Sequence, residues 1–490
     1  MTTTSPSPAP SAPPTTLPPV AAGGSGGASR PGLGSLGLFT VLLGASLPLV
    51  DFFIVNVALP TIDHDLSAGP ALLELVVAGY GLAYAVLLVL GGRLGDLFGR
   101  RRLFLAGMAA FGVTSLACGL APDAWSLVGA RVAQGAAAAM MLPQVLATIH
   151  SSTKGPARAR ALSLYGATAG LSMVAGQVLG GVLVAADIAG TGWRSVFLVN
   201  VPVAAAGLLL AARTVPETRA DRPAPVDLPG TLLLALALVT LLAPLTEGRA
   251  AGWPLWTWLA LAVSPFAAGA FWWVERRADR RGAVPLVPPS LLGLVSLRRG
   301  LGLVFLLSSG FGGFMFVIAV ALQQILGLGP VASGLALAPM ALAFFGASLA
   351  GPRLVRRWGT RVVAVGGLFQ MLGIGLLAWM AWRSWPDLTV TGLVPGMAIA
   401  GLGQGLQLPV LFRVVLSEVP AERAGVGSGV MVTTQQSALT LGVASLGSFF
   451  LSLSASDPAG RALPVTLLIQ LVMVAATALL ALRLPRTVAN

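Results

Sequence analysis

From about residue 36 onward the chain alternates long apolar runs with short charged turns, and that alternation leaves it only one solvent. The runs fall at roughly 36–59, 71–91, 103–121, 124–149, 160–185, 195–212, 228–246, 254–274, 300–325, 331–351, 362–382, 388–412, 426–452 and 463–483. A helix of about 20 apolar residues crosses the hydrocarbon of a bilayer, and a backbone in lipid must satisfy its own hydrogen bonds. The expected fold is all-α and polytopic, with 14 transmembrane helices. A composition of 56% hydrophobic and 10% charged residues, with a mean hydropathy of +0.86, excludes a water-soluble globule.

A formal charge of +13 would point a soluble protein toward nucleic acid. Here the basic residues lie in short loops, with no basic domain and no aromatic stacking platform, so that class is excluded. Counted loop by loop, they alternate. Even-numbered loops hold Arg93, Arg100, Arg101 and Arg102, then Lys154, Arg158 and Arg160, then Arg213, Arg219 and Arg222. Later even loops hold Arg276, Arg277, Arg280, Arg281, Arg298 and Arg299, then Arg353, Arg356, Arg357 and Arg361. The other side has only Arg194, Arg249, Arg383 and Arg461. Basic loops stay in the cytoplasm, which puts both termini inside, and a miscounted span would reverse the pattern. Residues 1–35 are rich in Pro, Thr, Ser, Ala and Gly and read as a disordered cytoplasmic tail. They lack the basic start and short apolar core of a secretory signal. Residues 485–490 read as a short cytoplasmic tail. The lone cysteine, Cys118, allows no internal disulfide, and His64 and His150 stand at ends of different spans, too far apart for a shared metal. No cofactor is expected.

The turn Gly92-Arg-Leu-Gly-Asp96-Leu-Phe-Gly99-Arg100-Arg101 joins the second and third spans, and a similar run from Pro352 to Arg361 returns about 260 residues later. Six spans occupy about 36–212, so simple duplication gives an offset near 180; the surplus of about 80 residues holds two helices and their loops. The expected organisation is an N-terminal six-helix half (36–212), a linker with two inserted helices (213–299) and a C-terminal six-helix half (300–484). A second echo agrees: Gln134-Gly135 precedes Pro143 in the fourth span, and Gln404-Gly405 precedes Pro409 in the twelfth. Duplicated halves of this kind build carriers that work by relative movement of the two repeats.

Four motifs in order carry a resemblance. Asp51-Phe-Phe-Ile-Val-Asn56-Val-Ala-Leu-Pro60, the Gly92–Arg101 turn, Arg131-Val-Ala-Gln134-Gly135 and Trp193-Arg194-Ser-Val-Phe197-Leu-Val-Asn200-Val-Pro202 resemble those of major facilitator superfamily transporters of the 14-helix drug:proton antiporter branch. The resemblance runs from about residue 36 to 484 and implies a major facilitator fold in a bacterial plasma membrane. It also implies a proton gradient as energy source, and export of amphipathic or hydrophobic small molecules by a functional monomer surrounded by lipid. The near absence of lysine, Lys154 alone, fits a bacterial source with G- and C-rich coding DNA. One motif departs: antiporters of this family carry a Gly-Pro pair in the fifth span, where this chain has Gly176-Gln177. Gly166, Gly170, Gly176, Gly180 and Gly181 still offer a small-residue surface for close helix packing.

Charges inside hydrocarbon are costly and mark function. Those in the spans are Asp51, Arg131 and, near the start of the second span, Glu74. Asp51 lies about 12 Å and Arg131 about 10 Å from the outer ends of their helices at 1.5 Å per residue, so their depths match. The resemblance makes these helices neighbours and assigns the coupling proton to Asp51, with Arg131 tuning it. A permanent structural ion pair is the alternative. Glu74 reads either as a proton or substrate group or as a solvated helix-start carboxylate. Asn56, Gln134 and Gln404 are expected at the substrate cavity. Gly92, Asp96, Gly99, Arg100 and Arg101 form, by resemblance, a conformational latch; in the second copy Arg356 replaces the acid, so that loop anchors rather than latches. An importer or a lipid or metabolite carrier on the same frame is the competing reading. A membrane-embedded enzyme lacks its His, Asp or Glu cluster, and a channel lacks a ring of charge or a filter loop.

Overall fold

The computed structural model describes residues 32–219, 227–248, 252–283, 285–384, 387–420, 423–456 and 460–484; the side chains of Glu74 and Gln177 lie outside the described residues, as do most of the N-terminal tail and all of the C-terminal one. The first group of helices is α1 (Ser35–Leu66), α2 (Gly69–Phe98), α3 (Arg100–Gly119), α4 (Ala124–Ser152), α5 (Gly155–Ala186), α6 (Ser195–Leu198) and α7 (Asn200–Thr214). Next come α8 (Leu228–Glu247), α9 (Leu255–Arg280) and the single turn α10 (Pro289–Leu292). The last group is α11 (Val295–Val320), α12 (Pro330–Ala336), α13 (Ala338–Trp358), α14 (Arg361–Arg383), α15 (Val390–Leu416), α16 (Ala424–Gly442), α17 (Ser448–Ser456) and α18 (Ala462–Ala481). Among the described residues 13 helices are long and apolar enough to cross a membrane, and α5, 32 residues long, completes the set of 14.

Local chemistry starts and stops these helices. Asp123 caps α4 by accepting from the Ser126 backbone N–H at 2.9 Å, and Ser126 Oγ accepts from the Asp123 N–H in return, a reciprocal capping box. Gly99 ends α2 at φ +105° and Gly359 ends α13 at φ +59°. Side chains with a Cβ rarely adopt that region, so both copies of the charged turn rest on a glycine at the same place.

Duplication is visible in who packs against whom. In the first group α1 packs on α5 and α7, α4 on α2 and α3, and α3 on α7. In the last group α11 packs on α16 and α18, α15 on α13 and α14, and α14 on α18. These are the same five pairings with each helix replaced by its repeat. The two groups meet where α2 packs on α16 and α5 on α13, a pair of contacts that the repeat also exchanges. α8 and α9 pack on one another, and α8 leans on α2 and α16. Much of α9 stays open to lipid, with Leu255, Trp258, Phe266 and Trp273 exposed. Arg276 and Arg277 lie over the rings of Trp272 and Trp273 near its end, as interfacial anchors do.

Close approach of helices depends on glycine at defined points. A Cβ on Gly135 of α4 would strike the Tyr80 carbonyl in α2, and one on Gly405 of α15 would strike the Phe344 carbonyl in α13. The echoed Gln-Gly pair is thus the same crossing built twice. Prediction: Gly135→Ala forces α2 and α4 apart, an overpacking strain of about 1–3 kcal/mol. The melting temperature of the purified protein should drop, whereas Gly129→Ala, with open space around the added carbon, should leave it unchanged.

Candidate functional site

Asp51, Arg131 and Gln134 are completely buried, and Asn200 is nearly so. Arg131 Nη1 donates to Asp51 Oδ2 in a short ion pair and to Gln134 Oε1 at 2.7 Å. The other carboxylate oxygen, Oδ1, accepts from Gln134 Nε2 at 2.9 Å and from Asn200 Nδ2 at 2.7 Å. Gln134 is held in turn by Ser115 Oγ at 2.7 Å and by the Cys118 thiol at 3.5 Å. Arg131 Nε donates to the Val76 carbonyl at 3.0 Å, and the guanidinium lies 4.2 Å from the Tyr80 ring centre. The Tyr80 hydroxyl donates to the Pro48 carbonyl at 2.9 Å. Groups from α1, α2, α3, α4 and α7 therefore converge on one carboxylate.

Removing two ions from water costs several kcal/mol each, and attraction alone offsets that only with good geometry and further hydrogen bonds. This cluster has both. Three N–H donors on two oxygens suit an ionised carboxylate. A proton arriving at Asp51 removes the negative charge that Arg131 pairs with, so protonation and the hold of Arg131 oppose each other. Arg131 Nη2 has no hydrogen-bond partner among the described residues, which leaves the guanidinium a free donor for a changed arrangement.

At the far end of α1 lies a second polar clamp. Trp193 Nε1 donates to Asp65 Oδ2 at 2.9 Å and Arg194 Nη1 to the same oxygen at 2.6 Å, tying α1 to the lead-in of α6. The Trp193 indole and the Arg194 guanidinium hold the Asp65 carboxyl below its ordinary value.

Residues 41–443 match the family described as Major Facilitator Superfamily. The chain belongs to that family. It is 36% identical over 419 residues to the probable actinorhodin transporter of Streptomyces coelicolor, covering 85% of this chain and 72% of that one. It is 34% identical over 416 residues to the multidrug resistance protein Stp of Mycobacterium tuberculosis, covering 84% and 74%. Its fold is similar to that of the proton:xylose symporter XylE, with a TM-score of 0.65 at 15% identity over 92% of this chain and 95% of that one. It is a multi-pass membrane transporter of the superfamily, not an enzyme.

On the superfamily frame the structure brings together Asp51, Arg131 and Gln134, the last as a ligand of the ion pair. Asn56 lies five residues further along α1, exposed, with its amide turned onto the Phe52 carbonyl at 3.2 Å. Gln404 is buried in α15, and its Oε1 has no hydrogen-bond partner among the described residues. Asn200, Ser115, Tyr80 and Asp65 were not singled out as site residues from sequence. Asn200 stood within a quoted motif, which was its one signal; the others look like ordinary helix residues until the fold joins them.

The turn after α2 is anchored on both sides. Asp96 accepts from its own neighbour Arg100 at 2.7 Å and faces the backbone N–H of Val426 at the start of α16. The Arg101 guanidinium donates to the Ala212 carbonyl, and its N–H donates to Glu217 at 3.2 Å. Gly99 lies against the Glu217 carboxylate, and Gly92 is buried. In the second copy Arg356 is exposed. The glycines of α5 divide between two neighbours: Gly176 and Gly180 lie against the α1 backbone, whereas Gly166, Gly170 and Gly181 meet Pro409, Phe344 and Val331 of the other half. A 3.6-residue period separates the two sets by about a quarter turn, so these glycines serve two crossings instead of one.

Prediction: because the Asp65 carboxyl is held low, its clamp is intact above its ordinary value of 3.8 and is lost as pH falls through the lowered one. The Trp193 indole proton resonance should stay constant from neutral pH down to that range and shift only below it. In Asp65→Asn the resonance should show no acid transition.

Proposed function

We propose that this chain exports amphipathic or hydrophobic small molecules from a bacterial cell in exchange for protons, by alternating access, with Asp51 as the proton-binding group. The observation that carries this reading is the sealed Asp51–Arg131 pair with its Gln134 and Asn200 ligands, in a family member whose curated relatives are named as transporters of an antibiotic and as multidrug resistance proteins. The neutral donors that any sealed ion pair requires also keep the carboxylate supported when Arg131 lets go. Protonation then neutralises Asp51 and frees Arg131, and deprotonation restores the pair, so each cycle carries one charge change through the first half. Glu74 remains a candidate for a second such group. Asn56 and Gln404 are assigned to substrate contact.

With both termini in the cytoplasm, the Arg93 end of α2 and the His150 end of α4 face inward. There His150 Nε2 contacts the Val419 carbonyl at 3.2 Å and Ser428 donates to the Pro143 carbonyl at 3.2 Å. Gly429 of α16 lies against Leu88 and Val89 of α2. These contacts close the cytoplasmic side, and Asp96, facing the N-terminal end of α16 where a carboxylate is favoured, is the latch. Lipid surrounds the monomer.

Two outcomes test the reading. Asp51→Asn, expressed to wild-type level in a pump-deficient host, should lose at least about tenfold in energised drug efflux, the loss of one charge-assisted contact being worth over 1.4 kcal/mol; uphill export that survives the change ends the proposal. Asp96→Asn should slow transport while abundance and membrane insertion stay normal, and loss of activity only through missing protein would reduce the turn to an anchor.

A further inference from the structure

The pair of inserted helices does more than lean on the bundle. After α9 the chain passes through Pro285, Leu286 and Val287 into α10, and the Leu286 and Val287 side chains are buried in a small apolar cluster. That cluster joins Val89 of α2, Leu234 of α8, Phe271 of α9 and Val430 of α16. The segment thus lies on the very helices through which the two halves meet. Arg93 of the charged turn donates to the Pro285 carbonyl at 2.7 Å, and Arg423, just before α16, donates to Ser290 at 3.3 Å.

Two carboxyl groups hold the segment from beneath. Glu275 Oε2 accepts from the Val287 N–H at 2.7 Å, and Asp227 Oδ2 accepts from the Leu286 N–H at 3.4 Å. Asp227 Oδ1 also caps α8 through the Gly230 N–H at 2.9 Å. Glu275 is completely buried, and its Oε1 receives no N–H donor among the described residues. That oxygen is aimed at Asp227: a carbon added at Gly230 would strike Glu275 Oε1 and lie 2.6 Å from Asp227 Oδ2, so the two carboxyl groups face one another across that narrow gap. Two carboxylates in contact cannot both ionise without strong repulsion, so such a pair shares one proton. Arg93 of α2 is the charged group that faces both members of the pair, and Asp96 of α2 and Arg423 from the loop before α16 act on Arg93 in turn. One shared proton leaves the pair with a single negative charge facing Arg93.

We propose that Asp227 and Glu275 form a second proton-binding site, whose shared proton clasps the Pro285–Leu292 segment across the arginine-loop ends of α2 and α16. The site takes a proton and no other ligand: the O–H···O contact closes the gap beside Gly230, Glu275 Oε2 stays with the Val287 N–H, and Asp227 Oδ2 takes the Leu286 N–H on its other side. Losing the proton turns the contact into a repulsion, the carboxylates part, and both backbone bonds go with them. The inserted helices then act as a clasp on the gate, one that loosens as the adjoining aqueous phase becomes alkaline. This does not depend on Asp51 being the coupling group.

Hydrogen–deuterium exchange on the full-length protein in lipid nanodiscs tests it, from about pH 5.5 to about 8.5, which brackets a paired carboxyl. Exchange of Leu286–Leu292, corrected for intrinsic rates, should quicken by roughly tenfold or more with rising pH as local opening becomes easier, while α14 stays flat. Glu275→Gln keeps a donor toward Asp227 and cannot titrate, so its segment should remain protected throughout; Asp227→Asn gives the same readout if the first variant does not fold. A wild-type segment indifferent to pH, or a variant with the wild-type profile, overturns the proposal. In Asp51→Asn the segment should still titrate; its silence there would transfer the effect to the ion pair and likewise overturn it.

Discussion

A carboxylate and a guanidinium sealed from water inside hydrocarbon are tolerable only when hydrogen-bonding groups from neighbouring helices are turned toward them, and that requirement organises the first half of this molecule. Asp51 and Arg131 come from α1 and α4, but the ring that makes the pair affordable comes from α2, α3 and α7. The helices must approach closely enough for short side chains such as Asn200 and Ser115 to reach, and the glycines at the crossings permit it. Packing and charge are thus one constraint: widening any of these crossings would strand a buried charge.

The second half inherits the packing without the charge. Gln404 and Gln470 stand 270 residues after Gln134 and Asn200, and the position matching Arg131 is Gly401. Gly310 of α11 lies against the Gln470 amide as Asp51 lies against Asn200. The amides remain where the ions do not recur, and both Gln404 and Gln470 keep buried polar atoms without hydrogen-bond partners among the described residues. Duplication supplied two equivalent scaffolds, and among the described residues only the first carries a fully buried ion pair at this crossing. At this crossing the first repeat sets a carboxylate against a guanidinium, and the second meets it with neutral amides.

Between the halves, the inserted helices contribute an element the repeat cannot provide. Each half covers its own core through the same five helix pairings, so α8 and α9 are not needed to bury either one. The contact of α8 with α2 and α16, and the chain segment that follows α9 onto those helices, set the inserted pair beside the meeting of the two halves. The carboxyl pair beneath that segment lies at the opposite end of α2 from the Asp51 cluster, so the molecule holds titratable groups at two depths.

Hydropathy and loop charge determined the architecture because lipid imposes a one-dimensional rule: an apolar run of sufficient length must be a helix, and its flanking charges orient it. The all-helical fold and its span number were legible for that reason, and a charge amid hydrocarbon, such as Asp51 or Arg131, stands out in any sequence. Tertiary structure alone decided the rest. Ser115, Tyr80 and Asn200 are unremarkable in sequence, and they join the site because helix rotation and crossing bring them to one carboxylate across separations of up to 149 residues. The division of the α5 glycines between two neighbours, and the meeting of Asp227 with Glu275 beside Gly230, likewise depend on which faces touch. Hydrophobic pattern tells a chain what to bury; only packing in three dimensions tells it what to bury together.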